Sequence, residues 1–352
     1  MLRDCIFLVP GDWDSRTGGY LYDRHIVNGL RAAGWRVSRC SPGDGFPLPD
    51  AATHEQARRV IDALPDGALV VADGLGFSAL PELAELHAKR LRWVALVHHP
   101  LAFESGLSPA EQARLFDSER RALACARQVV VTSPSTALAL AGFDVPAGRI
   151  TVVEPGTDRA PRATGGGAGA EALSLLCVAT VTARKGHAVL IEALAGLRGR
   201  AWHLHCAGSL SRDDATVATV RAGVARHGLA ERVTWHGEVD VQALESLYAQ
   251  AGLFVLPSFH EGYGMALAEA LAHGLPVVSC DAGAIADTVP PTAGVLVPPG
   301  DADALRGALQ RLMDDAAWRH TLAAAAWSAA ERLPTWDDAG ARFAAVLDAV
   351  AA

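Results

Sequence analysis

Short apolar runs alternate with stretches of helical periodicity along most of this chain. In the first half, Cys5–Val9, Trp35–Arg39, Ala68–Ala72, Trp93–Val97, Gln128–Thr132 and Ile150–Val153 predict six strands. Between the first two, Tyr20–Ala33 places Leu21, Ile26, Val27 and Leu30 on one side and ends at Gly34, which predicts a helix. Pro109–Ala126 predicts another. The strand runs are continuously apolar, as strands of a parallel sheet are when helices cover both faces. The rhythm lapses at Ala160–Gly169 (APRATGGGAG), which has the glycine content of a flexible linker. It then restarts, with strands expected at Ser174–Ala179, His203–Ala207, Arg232–Trp235, Leu253–Leu256, Pro276–Ser279 and Val295–Val297. Three helical segments follow, from Asp301, Ala316 and Thr335. The expected fold class is α/β, with two Rossmann-like doubly wound parallel-sheet domains. Their expected bounds are 1–160 and 172–333, joined by a linker at 161–171. A terminal helix at 334–352 has the option of crossing back to the first domain. Ligands of such sheets sit beyond the carboxyl ends of the strands, so two facing sheets would form a cleft.

At 352 residues the chain suits two such domains. A formal net charge of -8 argues against nucleic acid or anionic membrane as default partners. The Cys5–Pro10 run is too short for a secretory signal core, and no run reaches the length of a membrane span. Six scattered cysteines without a CxxC pair read as buried, reduced thiols, and a cytoplasmic protein is expected. Asp213-Asp214, Asp314-Asp315 and Asp337-Asp338 sit at expected helix starts or surface bends, where capping explains them. The thirteen histidines show no metal-ligand spacing, so no metal is expected. Trp35, Trp93, Trp202 and Trp235 read as core, whereas Trp13 falls in the loop after the first strand.

The segment Leu256–Val278 (LPSFHEGYGMALAEALAHGLPVV) carries the most chemistry. It follows an expected strand. Gly262 and Gly264 let the backbone turn tightly and approach a ligand. A helix is expected from Gly264-Met265 to Ala272-His273, stopped by Gly274 before Pro276. The free N–H groups at its start suit a diphosphate. Glu261 precedes that helix and Glu269 lies within it. Taken singly, Glu261 reads equally as a cap and Glu269 as a surface charge.

As a whole, the string S-x-x-E-G-[FY]-G-x-x-x-x-E-A-x-A-x-G-x-P-V resembles the retaining GT-B glycosyltransferases of family 4, also described as glycosyl transferases group 1. Other segments fit the same pattern: Thr17-Gly18-Gly19 and the helix after it, Val97-His98-His99-Pro100, Thr132–Thr136, Ile150–Asp158, Ala183–His187 and Gly294–Asp301. One departure is that many members carry Gly-Arg after the first strand of the second domain, where this chain has Ala179-Thr180. Lys185 carries over directly. Arg184 lies later in the chain than the family's usual phosphate-binding arginine, whose position here is Ala179-Thr180.

The resemblance implies a hexosyltransferase that moves a sugar from a UDP- or GDP-linked donor to an unidentified acceptor, with retention. No cofactor is expected; metal independence is expected from the lack of a metal-ligand cluster and the presence of cationic and helix N-terminal groups, and front-face substitution from the lack of a paired nucleophile. The resemblance also implies that His98, Lys185 and Glu261 are catalytic. Donor binding would fall to Gly18, Gly19, Arg184, Lys185, Gly262, Tyr263, Gly264, Met265 and Glu269, with Glu269 on the ribose and Glu261 on the sugar. Position alone leaves His98 and His99 open to reading as satisfied histidines at a strand end. Neither Pro10–Asp14 nor Ala72–Gly76 provides the G-x-G-x-x-G of a dinucleotide-dependent oxidoreductase. A non-catalytic sugar-nucleotide binder on the same scaffold is the main alternative, and a phosphorylase lacks its pyridoxal-lysine context.

Overall fold

The protein is described by a computed structural model that covers residues 3–104, 106–165 and 172–352. The glycine run of the expected linker, 166–171, lies outside the described residues. The chain forms two compact units, Met1–Gly156 with Pro334–Ala352, and Thr157–Leu333. The change of unit thus falls before the Gly-rich segment. Ala163 and Thr164 already donate backbone hydrogen bonds to the carbonyls of His273 and Ala249 in the second unit.

The first unit holds strands β1 (Asp4–Leu8), β2 (Arg36–Cys40), β3 (Leu69–Asp73), β4 (Arg92–Val97), β5 (Gln128–Val131) and β6 (Ile150–Val152). They are all parallel, in the order β2-β1-β3-β4-β5-β6. Val70, Val71, Trp93, Val94, Val129 and Val130 have no exposed surface. Helices cover both faces, and that is why these strands read as unbroken apolar runs. The C-terminal helix Trp336–Ala351 packs on the helix Gly18–Ala32 at a pair of glycines. A methyl group on Gly29 would lie 2.8 Å from the Gly340 Cα.

The second unit holds β7 (Leu173–Val178), β8 (Trp202–Ala207), β9 (Val233–Gly237), β10 (Leu253–Leu256), β11 (Val277–Cys280) and β12 (Gly294–Val297). Their order is β12-β11-β10-β7-β8-β9, again parallel throughout. The chain starts at β7, winds outward through β8 and β9, then returns to the other side of β7 with β10. The neighbours β7 and β10 therefore mark the topological switch point. Ligands of doubly wound sheets bind beyond the strand ends at such a point. In the first unit the corresponding neighbours are β1 and β3.

The aspartate pairs act as caps. Asp213 accepts from the Thr216 N–H, Asp315 accepts from the Trp318 N–H, and Asp338 forms a capping box with Thr335. All six cysteines are free thiols, with Cys40 and Cys125 half-buried. Trp35, Trp93 and Trp202 are core residues, whereas Trp235 is half-buried. Trp13 lies under the Arg39 guanidinium, 4.6 Å from its ring centre.

Candidate active site

Both loops at the β7/β10 switch point carry residues singled out above. Beyond β7 the chain makes a 3₁₀ turn, Ala183–Lys185, and turns over at Gly186 with φ +70°. Only glycine suits that conformation here, because a side chain at 186 would also run into the Pro257 carbonyl just past β10. Further links stitch the two loops together. The Phe259 N–H donates to the Arg184 carbonyl at 2.8 Å, and Arg184 Nη1 donates to the His260 carbonyl at 2.8 Å. Lys185 Nζ lies 2.6 Å from Glu261 Oε1, and Arg184 Nη1 lies 3.7 Å from Glu261 Oε2. The Glu261 backbone is held from behind as well. Its carbonyl accepts from the Ala284 N–H, and Gly283 leaves no space for a side chain against it.

Burial alone would push the Glu261 carboxyl up, but the Lys185 and Arg184 charges outweigh it and hold it below the usual carboxylate range. Burial pulls the Lys185 ammonium down, with Glu261 offsetting part of that. The fixed triad of two cations and one carboxylate leaves one net positive charge, set where water is largely excluded and charges interact strongly. Beside it, Gly264 adopts φ +91° and opens the helix Met265–Ala272. The first N–H groups of a helix have no acceptor within it and carry partial positive charge. Thr288 Oγ1 donates to the Tyr263 carbonyl at 2.7 Å and fixes the entry to this helix.

Glu269 lies on the same helix, half-buried. Its Oε2 accepts from the Tyr248 hydroxyl at 2.8 Å. Burial raises its pKa to about 7, against the Tyr248 hydrogen bond and with help from the charges of Glu245 and Asp158. No motif pointed to Tyr248, which lies on the helix Val241–Gln250. The only signal in the sequence was an aromatic on that helix before β10.

The remaining candidates lie in the first unit. Gly18 and Gly19 form the first turn of the helix Gly18–Ala32, and not a loop ahead of a helix from Tyr20. Thr17 is the residue before the helix, and its side chain makes no capping hydrogen bond; the helix starts two residues earlier because glycine accepts a helical turn as readily as a loop. A methyl group on Gly19 would sit 3.4 Å from His98 Cδ2. His98 follows β4, and its Nε2 lies 3.1 Å from Asp23 Oδ1 and 3.2 Å from Asp73 Oδ2. Burial opposes charge on the ring, but Asp23 and Asp73 outweigh it and raise His98 to about 10. The two carboxylates therefore favour the imidazolium form of His98. Asp23 Oδ2 is buried without a hydrogen-bond partner among the described residues. The ligand atoms of Asp23, Asp73 and His98 lie within 4.8 Å of one another, close enough to hold a cation. A search by spacing along the chain could not find this group, since its members come from a helix and two different strand ends. A proton and a metal ion would compete for the same Nε2.

Family comparisons agree with the geometry. Residues 172–315 match the model of glycosyl transferases group 1, and residues 55–160 match that of Glycosyltransferase Family 4. The D-inositol 3-phosphate glycosyltransferase of Xylanimonas cellulosilytica is 31% identical over 284 residues, which cover 74% of this chain and 67% of that protein. The match spans 62% of the enzyme of the same name from Arthrobacter sp. and 27% of the O-antigen chain mannosyltransferase B of Escherichia coli. Among solved structures, sucrose-phosphate synthase from Thermosynechococcus elongatus superposes with a TM-score of 0.83 at 24% identity, over 99% of each chain. Anabaena HepE in complex with UDP-glucose gives 0.78 at 18% identity, over 98% of this chain and 99% of that one. The fold is that of the GT-B enzymes. The chain belongs to the glycosyl transferases group 1, a family of sugar-transferring enzymes.

Proposed function

We propose that the protein transfers a hexose from a nucleoside diphosphate sugar to an acceptor hydroxyl, with retention and without a metal ion. The observation that carries this reading is the Lys185–Glu261–Arg184 cluster beside the start of the helix Met265–Ala272. When the bond from the anomeric carbon to the diphosphate breaks, negative charge grows on the leaving oxygens. Cations and helix N–H groups already in place stabilise that charge with little reorganisation. Retention by double displacement needs a carboxylate on the face opposite the leaving group. Glu261 is engaged by two cations, which suits it to holding sugar hydroxyls and makes it a poor nucleophile. The reading is therefore front-face substitution. The acceptor oxygen bonds to the carbon on the side the diphosphate leaves, and the acceptor proton passes to a leaving phosphate oxygen. His98, whose protonated form Asp23 and Asp73 favour, is read as a donor of hydrogen bonds to the substrate.

HepE with bound UDP-glucose supports a UDP-linked donor, and a GDP-linked donor is the second arm of the test. The protein is incubated with UDP-glucose and with GDP-mannose, with excess EDTA, and free diphosphate is measured. Release with either donor is expected, together with a product whose proton NMR keeps the donor's anomeric configuration. Turnover restored only by Mg²⁺ or Mn²⁺ would remove metal independence. An inverted product would remove retention. Binding of UDP or GDP with no release from either donor would favour a non-catalytic binder.

A further inference from the structure

Tyr248 is fully buried, yet its hydroxyl reaches the one carboxylate on the helix Met265–Ala272. The ring is held on two sides, parallel to His273 at 4.8 Å and close to parallel with Phe254 at 5.9 Å. His273 is fixed in turn, with Nδ1 3.0 Å from the Pro161 carbonyl and Nε2 3.3 Å from Glu245. A hydroxyl on a clamped ring has little freedom, so the oxygen it reaches is fixed too. It also lies 3.2 Å from the Ala266 carbonyl, but the shorter contact to the charged oxygen takes the single proton. That spends Glu269 Oε2 and leaves Oε1 free of Tyr248.

We infer that Tyr248 is a positioning residue for donor binding: its hydroxyl holds Oε2 of the Glu269 carboxylate so that Oε1 meets the ribose. This rests on the reading of Glu269 as the ribose contact. The ionised form matters because ribose hydroxyls donate, and a protonated carboxyl offers them a poorer acceptor. The charged and titratable groups facing the pair are Glu245 and Asp158, which disfavour the carboxylate, and His273 and Cys177, which lie near Tyr248. The hydroxyl of Tyr248 offsets the two acids.

The test is calorimetric titration of the whole protein with UDP and with GDP between pH 6 and 8.5, for wild type, Tyr248→Phe and Glu269→Gln. Wild-type affinity should be level at high pH and fall as pH drops through about 7, where Glu269 gains a proton. Tyr248→Phe keeps the stacked ring and removes only the hydroxyl. It should weaken binding about tenfold at pH 7 and move the midpoint upward by roughly half a unit to one unit. A merely structural loss would lower affinity by the same factor at every pH, and that result overturns the inference, as does unchanged binding. If Glu269→Gln binds as well as wild type at pH 8, the ribose reading itself fails, whatever Tyr248→Phe does. Should Tyr248→Phe not fold, tyrosine Cζ NMR of the wild type replaces it. One of the four tyrosine signals should titrate with the binding midpoint and stop doing so in Glu269→Gln. No tyrosine following that midpoint would overturn the inference.

Discussion

Glu261 and Glu269 are eight positions apart on one short segment, yet their surroundings give them opposite electrostatics. Glu261 is held ionised by two cations, whereas Glu269 faces two acids and titrates near neutrality. Glu269→Ala should weaken binding of the bare diphosphate about tenfold or more, because the ribose is the same in ground and transition states. Glu261→Ala should leave that affinity intact or improved, since it frees Lys185 and Arg184 for phosphate, while turnover falls about a hundredfold. Calorimetry beside a turnover assay separates the two, and equal losses of affinity would undo the assignment. A third carboxyl acts on stability. Glu119 is fully buried in the first unit, accepts from Ser78, and is raised by burial from 4.5 to about 7. A carboxyl with a raised folded pKa binds its proton more tightly in the folded state. Its favourable contribution is therefore complete below about 4.5 and lost as pH rises to about 7. Glu119→Gln should remove that slope and gain on the order of 2 kcal/mol over wild type at pH 8 relative to pH 5. Urea unfolding at the two pH values checks this, and parallel curves would refute it.

At the scale of elements, the site depends on two loops that can only meet where β10 returns beside β7. Their register is set by Gly186, whose missing side chain lets the turn after Lys185 press on the Pro257 carbonyl. Gly186→Ala should cost roughly 1–3 kcal/mol through the positive φ and that contact. Because it displaces Lys185, it should lower turnover more than the stability loss explains. The measurement is turnover at a temperature where both proteins are fully folded by circular dichroism, and equal rates would count against the argument. The strands themselves were readable from apolar runs, each within about two residues of its observed bounds, since a buried parallel strand has no polar face to blur the pattern. Capping by the aspartate pairs was readable too, because Asp at a helix start acts on N–H groups only two or three residues away.

At the scale of the molecule, the first unit is completed by a segment from the far end of the chain. Gly29 and Gly340 bring two helices into backbone contact, and Gly156 leaves no space for a side chain against the backbone of Trp336. His25 stacks on the Trp336 ring at 3.9 Å. The second unit is continuous in sequence, with its own core running from Leu175 to Ala326. A fragment of residues 157–333 should therefore fold alone and bind UDP or GDP, whereas residues 1–156 should fold only when 334–352 is supplied. Dispersed amide NMR spectra would report each outcome, and a folded 1–156 fragment would contradict the second half.

What local sequence decided is what acts over short range: the alternation of strand and helix, the helix stops and caps, and the Glu-x7-Glu string with its glycines, all within a few turns of chain. Even there the Gly18-Gly19 helix start was displaced, because glycine permits a loop and a helix turn alike. What needed the tertiary structure is every partner brought from afar. Asp23 and Asp73 reach His98 from 75 and 25 positions away, Tyr248 reaches Glu269 across 21, and Arg184 and Lys185 meet His260 and Glu261 across 76. These pairs set which groups are charged. Burial and long-range neighbours create those charge states, and both exist only once the sheets have wound and the loops beyond β7 and β10 lie side by side.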